Sequence, residues 1–348
     1  TFEGTGGLNT SVQTRKDANG NDKKYLAWDV KNVTNMALMF YGWTGRDYKF
    51  NGEISNWNTG NVVNMNSMFQ WSYSFNQQIG EKTVNFTGDD YDLGSYKAWD
   101  LQKAENMSSM FREAGSFNNG VNNSIEGENN VGNPLKFTFH SSTTVTLFQM
   151  FFGASSFNAP IYHWENTSSI RETDRMFKRA SKFNQEVRTW NVSGLFSQSV
   201  VQNSDMFESA TAFKLKYDNY GATDSPGELF WTLFDGVITD DNGTEYRQPN
   251  YSTDLTIGSN NSKLKGMISF YGASANAANI IKNNDSGGEP NTWDVSQITS
   301  MSDLFKNTTF NEDISNWDTR NVTNMSSTFA RSTFNGDISK WDTSSVTN

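Results

Sequence analysis

One string recurs along this chain. It reads Trp-Asp-(Val/Thr)-x-x-Val-Thr-Asn-Met-x-x-Met-Phe, then a short spacer, then Phe-Asn-x-x-Ile-Ser-x-Trp. Trp28 to Phe40 carries the first part, Trp57 to Phe69 repeats it, and Trp317 to Trp341 holds a clean late copy. Trp28, Trp57, Trp99, Trp164, Trp190, Trp293, Trp317 and Trp341 share one phase, and Phe139 takes that place once. The step from Trp293 to Trp317 to Trp341 is 24 residues twice, and from Trp28 to Trp57 it is 29. A unit this short cannot bury its own core, so each must pack against its neighbours. The expected fold is an α/β repeat solenoid, with short strands and short helices in each coil of about 24 residues and insertions on the surface.

Such an array explains an otherwise odd composition. Only 35% of the 348 residues are apolar, while 14% are aromatic and sit at fixed phases. A solenoid core is one thin column, so the low apolar share does not signal disorder. The net charge is −10, with no run of Lys or Arg, which argues against a nucleic-acid partner. There is no cysteine, which excludes disulfides, thiol nucleophiles and cysteine-based zinc sites. No stretch approaches the roughly 20 apolar residues of a membrane span. The chain opens at Thr1 without a basic or apolar leader, and it stops at Asn348, where the next unit would begin its Met box. Both ends read as those of a fragment of a longer array that lacks any signal peptide or lipid anchor.

The Met-x-x-Met-Phe box places apolar residues at i, i+3 and i+4, the spacing of one helix face. All 12 methionines fall in such boxes, counting Met206-Phe207 and Met267-Ile-Ser-Phe270 as worn copies. Asn35, Asn64, Asn106 and Asn324, with Ser300 in the same place, precede the first apolar residue and suit a helix N-cap. The β-branched pairs before them, such as Val33-Thr34, suit a short strand. Repeated Asn side chains can also satisfy backbone groups between coils. Residues 1–27 read as a capping hairpin turning at Asn19-Gly20. Residues 28–213 read as repeat solenoid and 214–262 as an insertion. That insertion holds an apolar run, Glu228 to Phe234, and a second hairpin signal at Asn242-Gly243. Residues 263–348 read as the solenoid continuing.

The unit resembles the repeat of BspA-like leucine-rich-repeat surface proteins, also catalogued as DUF285 or the mycoplasma lipoprotein repeat. The matching residues run from Trp317 to Ser327 and from Phe334 to Trp341. The resemblance covers most of 28–212 and 291–348. It implies a leucine-rich-repeat-like solenoid on a bacterial or mycoplasma cell surface, often in adhesins, with no shared catalytic residues. The insertions and the worn units between 190 and 290 depart from the regular pattern.

Little in the chain points to catalysis. No nucleophile elbow, phosphate loop or dinucleotide fingerprint occurs. Asp29, Asp100, Asp294, Asp318 and Asp342 repeat with the unit, and their expected role is a turn hydrogen bond. The only histidines, His140 and His163, flank anchor aromatics and read as surface imidazoles without a third metal ligand. The oxygen-rich segments 17–22 and 89–92 do not match a calcium loop. No catalytic residue, metal or cofactor is therefore expected. The candidate binding residues are Tyr41, Trp43, Trp71 and Tyr73, which follow the first two boxes. They form either an exposed interaction patch or the padding of an enlarged loop. The expected function is non-enzymatic and extracellular. A cell-surface scaffold would bind a protein or glycan on a host or neighbouring cell. The alternative is a self-associating subunit of a filament or surface layer.

Overall fold

A computed structural model describes residues 12–16, 19–20, 22–26, 28–43, 49–85, 95–122, 131–142, 144–198, 201–217, 222–234, 236–249, 252, 254–259 and 261–348. They divide into two compact units. The first takes the chain up to residue 215 together with 236–249, and the second takes 216–235 and 250–348. The stretch 214–262, read from sequence as one insertion, is thus shared between them.

In the first unit, antiparallel hairpins are formed by β1 (Val12–Lys16) with β2 (Asp22–Leu26) and by β3 (Lys82–Asn85) with β4 (Ser95–Ala98). A third pairs β7 (Val237–Thr239) with β8 (Glu245–Arg247). The repeats themselves lie parallel to one another. β5 (Val145–Thr146) pairs in parallel with β6 (Ile170–Glu172), and single parallel bridges join Asn35 to Asn64, Asn64 to Asn106, and Asn106 to Thr146.

The Met boxes of the repeats do not form helices, contrary to their i, i+3, i+4 spacing. In the box that starts at Met65, the N–H groups of Met65, Ser67, Phe69 and Trp71 donate to carbonyls of Asn106, Ser108, Met110 and Arg112 at 2.8–2.9 Å. The intervening N–H groups close tight turns within the box, Met68 to the Met65 carbonyl and Gln70 to that of Ser67, both at 3.2 Å. Asn64 Oδ1 accepts from the N–H of Asn66 at 2.9 Å, so it caps the first turn rather than a helix. Ser67 and Trp71 stand in the left-handed region, at φ 54° and 60°. A left-handed residue every fourth position keeps apolar side chains in line and aims alternate N–H groups at the next repeat. An α-helix would consume those donors internally and leave neighbouring repeats nothing to share. The same alternation recurs at Ser109 and Glu113 (φ 56° each) and at Arg175 and Arg179 (φ 56° and 64°).

The core of this unit is a double column of phenyl rings. Phe40, Phe69, Phe111, Phe151, Phe177 and Phe207 stack at centroid spacings of 5.3–5.5 Å. Phe50, Phe75, Phe117, Phe157, Phe183 and Phe213 form the second column at 5.7–5.9 Å. Within each repeat the two rings meet at 3.8–4.1 Å. Polar columns run beside them. Asn51, Asn76, Asn118 and Asn158 each accept, through Oδ1, the backbone N–H of the following Asn in that series, at 2.8–3.0 Å. The last donor is Asn184. Indole N–H groups do the same work: Trp99 Nε1 donates to the Ile54 carbonyl at 3.0 Å, and Trp190 Nε1 to that of Ile161 at 3.1 Å. A narrow core leaves many backbone groups dry, and these side chains supply partners that water cannot.

In the second unit, a short helix α1 (Glu228–Thr232) buries Leu229, Phe230 and Trp231. Helices α2 (Asn261–Tyr271) and α3 (Ala275–Lys282) pack with the repeats of Trp293, Trp317 and Trp341 in one apolar cluster. Met267 to Phe270, read as a worn box, lies inside α2. Trp341 stacks on Trp317 at 6.0 Å, and its Nε1 donates to the Ile314 carbonyl at 3.1 Å.

Candidate functional site

The turn that follows each box Phe in the first unit carries the most chemically varied side chains. Because the box ladders are in register, residues at one step after the Phe form one row: Tyr41, Gln70, Arg112, Phe152, Lys178 and Glu208. The next step gives Gly42, Trp71, Glu113, Gly153, Arg179 and Ser209.

The four aromatics expected from sequence sit at one end of these rows. Tyr41 meets Trp71 edge to face at 5.2 Å and 69°. Trp43 is 64% exposed and Tyr73 is 42% exposed, so both offer ring surface to solvent. Trp71 is half-buried. Gly42 makes this approach possible, since a Cβ there would lie 2.2 Å from the Trp71 carbonyl oxygen. Ser72, buried beneath the turn, donates its hydroxyl to the Phe40 carbonyl and ties the two repeats together.

Beyond the aromatics lies a cationic stretch that the sequence reading missed. The Arg112 guanidinium lies 5.0 Å from the centre of the Phe152 ring, and that of Arg179 lies 5.7 Å from the same ring. Arg179 pairs with Glu113 at 3.4 Å across the intervening Gly153. The absence of a side chain at Gly153 leaves room for this, as a Cβ would sit 2.5 Å from the Glu113 carboxylate. Lys178 pairs with Glu208 and with Asp205, and the bond to Glu208 pushes its pKa up. Arg112 forms no ion pair among the described residues, and its Nε is buried without a hydrogen-bond partner. The signal for this stretch was in the sequence, as the residue directly after each box Phe, but only in-register stacking turns that column into a surface.

The histidines divide. His140 Nδ1 accepts from the Ser142 N–H at 2.9 Å. His163 is no surface imidazole: it is 4% exposed, stacked on Tyr162 at 3.8 Å and edge-on to Tyr246 of β8 at 5.0 Å. Burial, helped by Lys136, lowers its pKa to about 4 against the opposing pull of Asp240 and Asp241. Its Nδ1 has no hydrogen-bond partner. The hairpin that covers it is secured by Gln248, whose amide donates to the carbonyls of Arg188 and Trp190 at 2.7 and 2.9 Å.

The repeated aspartates serve as turn acceptors. Asp29, Asp100, Asp294, Asp318 and Asp342 each take, on Oδ1, the N–H two residues on, at 2.9–3.3 Å. Among the described residues no group of three or more His, Cys, Asp or Glu is placed to hold a metal ion, and no helix is long and apolar enough to cross a membrane. Of the oxygen-rich segments weighed as calcium loops, 89–92 lies wholly outside the described residues, as do Asp17 and Asn21 of the other.

Comparison with known proteins adds one finding. No curated protein and no solved structure matches the chain. The family model described as "Mycoplasma protein of unknown function, DUF285" matches residues 8–133, 96–220 and 267–348. Those matches span most of the sequence and the repeats of both compact units, and the chain belongs to the DUF285 family.

Proposed function

We propose that this chain is a leucine-rich-repeat-like solenoid of the BspA-like kind, acting as a non-enzymatic recognition surface outside the cell. Parallel stacking of the repeats supports the solenoid reading, because each repeat draws its hydrogen bonds and its ring contacts from the one before and the one after. The recognition reading rests on one observation above the others: Trp43 and Tyr73 keep their rings in solvent while Tyr41 and Trp71 anchor the same turns. Where the box rings of the first unit are buried among the described residues, exposed aromatics on adjacent repeats are the natural contact for a partner. The partner would be a protein or glycan on a host or neighbouring cell.

The test is adhesion. Purified protein carrying Trp43→Ala and Tyr73→Ala together should lose attachment to host cells while its melting temperature stays within a degree or two of wild type, since neither ring supports the core. Unchanged attachment by the double variant would remove the reading.

A further inference from the structure

We propose that the aromatic turns and Arg112 form one continuous site for a glycan that ends in a carboxylate-bearing sugar. This rests on the recognition reading above and names the chemistry of its ligand. Two observations carry it. The first is the row itself. Tyr41 and Trp71 hold one another, Trp43 and Tyr73 stand exposed, and the Trp71 N–H donates directly to the Arg112 carbonyl at 2.8 Å. The Arg112 backbone therefore lies directly beside that of Trp71, one repeat on from the ring patch, while its guanidinium reaches onward to Phe152.

The second is the state of Arg112. It is half-buried, rests on Phe152, and forms no ion pair among the described residues. The neighbouring cations are engaged: Arg179 with Glu113, Lys178 with Glu208 and Asp205, and Arg175 with Asp205. A guanidinium 5.0 Å from a ring centre, with no ion pair among the described residues, is suited to bidentate capture of one carboxylate. The faces of sugar rings stack on Trp and Tyr through their apolar C–H edges, as bases and cations use the same rings.

The charge of the whole chain narrows the ligand further. At −10 it repels densely charged polyanions over long range. Arg112, unpaired among the described residues and one repeat from the exposed rings, therefore favours a ligand with an isolated carboxylate and apolar ring faces. An acidic peptide is disfavoured, because its side chains offer charge without flat faces to stack.

Sialyllactose and lactose, which differ by one acidic sugar, are the matched probes, with heparin as the polyanion. Titration calorimetry of the full chain should show sialyllactose binding at least about tenfold more tightly than lactose, the worth of one charge-assisted contact. Heparin should bind more weakly than sialyllactose. Arg112→Gln should remove the preference for sialyllactose over lactose, and Tyr73→Ala, at an exposed position outside the core, should weaken both sugars. Equal affinity for the two sugars, tighter binding of heparin, or a preference that survives Arg112→Gln would overturn the proposal. So would the absence of any sugar binding. If the Trp43 and Tyr73 variants still abolish cell attachment in that case, the recognition reading stands and only the ligand class falls.

Discussion

At the scale of single residues, the chain shows how little a residue type says until its neighbours are known. Phe111 is fully buried between Phe69 and Phe151 and against Phe117. Phe111→Ala should cost about 3–5 kcal/mol in urea unfolding, because the stacked rings on both sides cannot collapse into the gap. Asn118 is polar yet equally buried, and its Oδ1 holds the Asn158 N–H at 2.8 Å. Asn118→Ala should cost about 1–3 kcal/mol by leaving that donor dry. His163 has a folded pKa near 4, below the usual value of 6.5. Its stabilising contribution belongs to the neutral form, so it is complete above pH 6.5 and falls away as the pH drops toward 4. The loss should reach about 2 kcal/mol at pH 5. Denaturation of wild type against His163→Phe across that range checks the sign, since the variant should show a flatter acid limb.

At the scale of elements, the box is the informative case. Its apolar spacing fits a helix, its Asn fits a cap, and both features serve a different backbone. Two left-handed residues four apart produce the same side-chain alignment while freeing alternate N–H groups for the next repeat. The helical reading failed because periodicity reports which side chains share a face, not where the backbone donors point. Ser109, at φ 56°, is one such position. Ser109→Val should cost more than 1 kcal/mol, because a β-branched residue is strongly disfavoured in that region. Ser109→Gly should be close to neutral. Thermal melts of the two variants check that order.

At the scale of the whole molecule, stability in the first unit should follow position along the stack. Phe111 has box-ring neighbours on both sides, while among the described residues Phe40 has one box ring, at 5.4 Å, and retains 6% exposure. Phe111→Ala should therefore lower the melting temperature more than Phe40→Ala, as nearest-neighbour coupling requires; equal shifts would argue against parallel repeats sharing one core. Sequence alone determined the phase at which the box Met and Phe side chains and most of the anchor Trp side chains recur. It pointed to Asn and Asp as partners of the backbone, and it singled out four aromatics that follow the first two boxes. These follow from a repeated local pattern, because a residue that recurs in each unit meets the same environment in each. Tertiary structure alone decided the rest. It set the left-handed turns of the boxes, the burial of His163 under a hairpin distant in sequence, and the meeting of Arg112 with Phe152 beside Trp71. Each depends on which repeat or hairpin lies against which, and no local pattern encodes that adjacency.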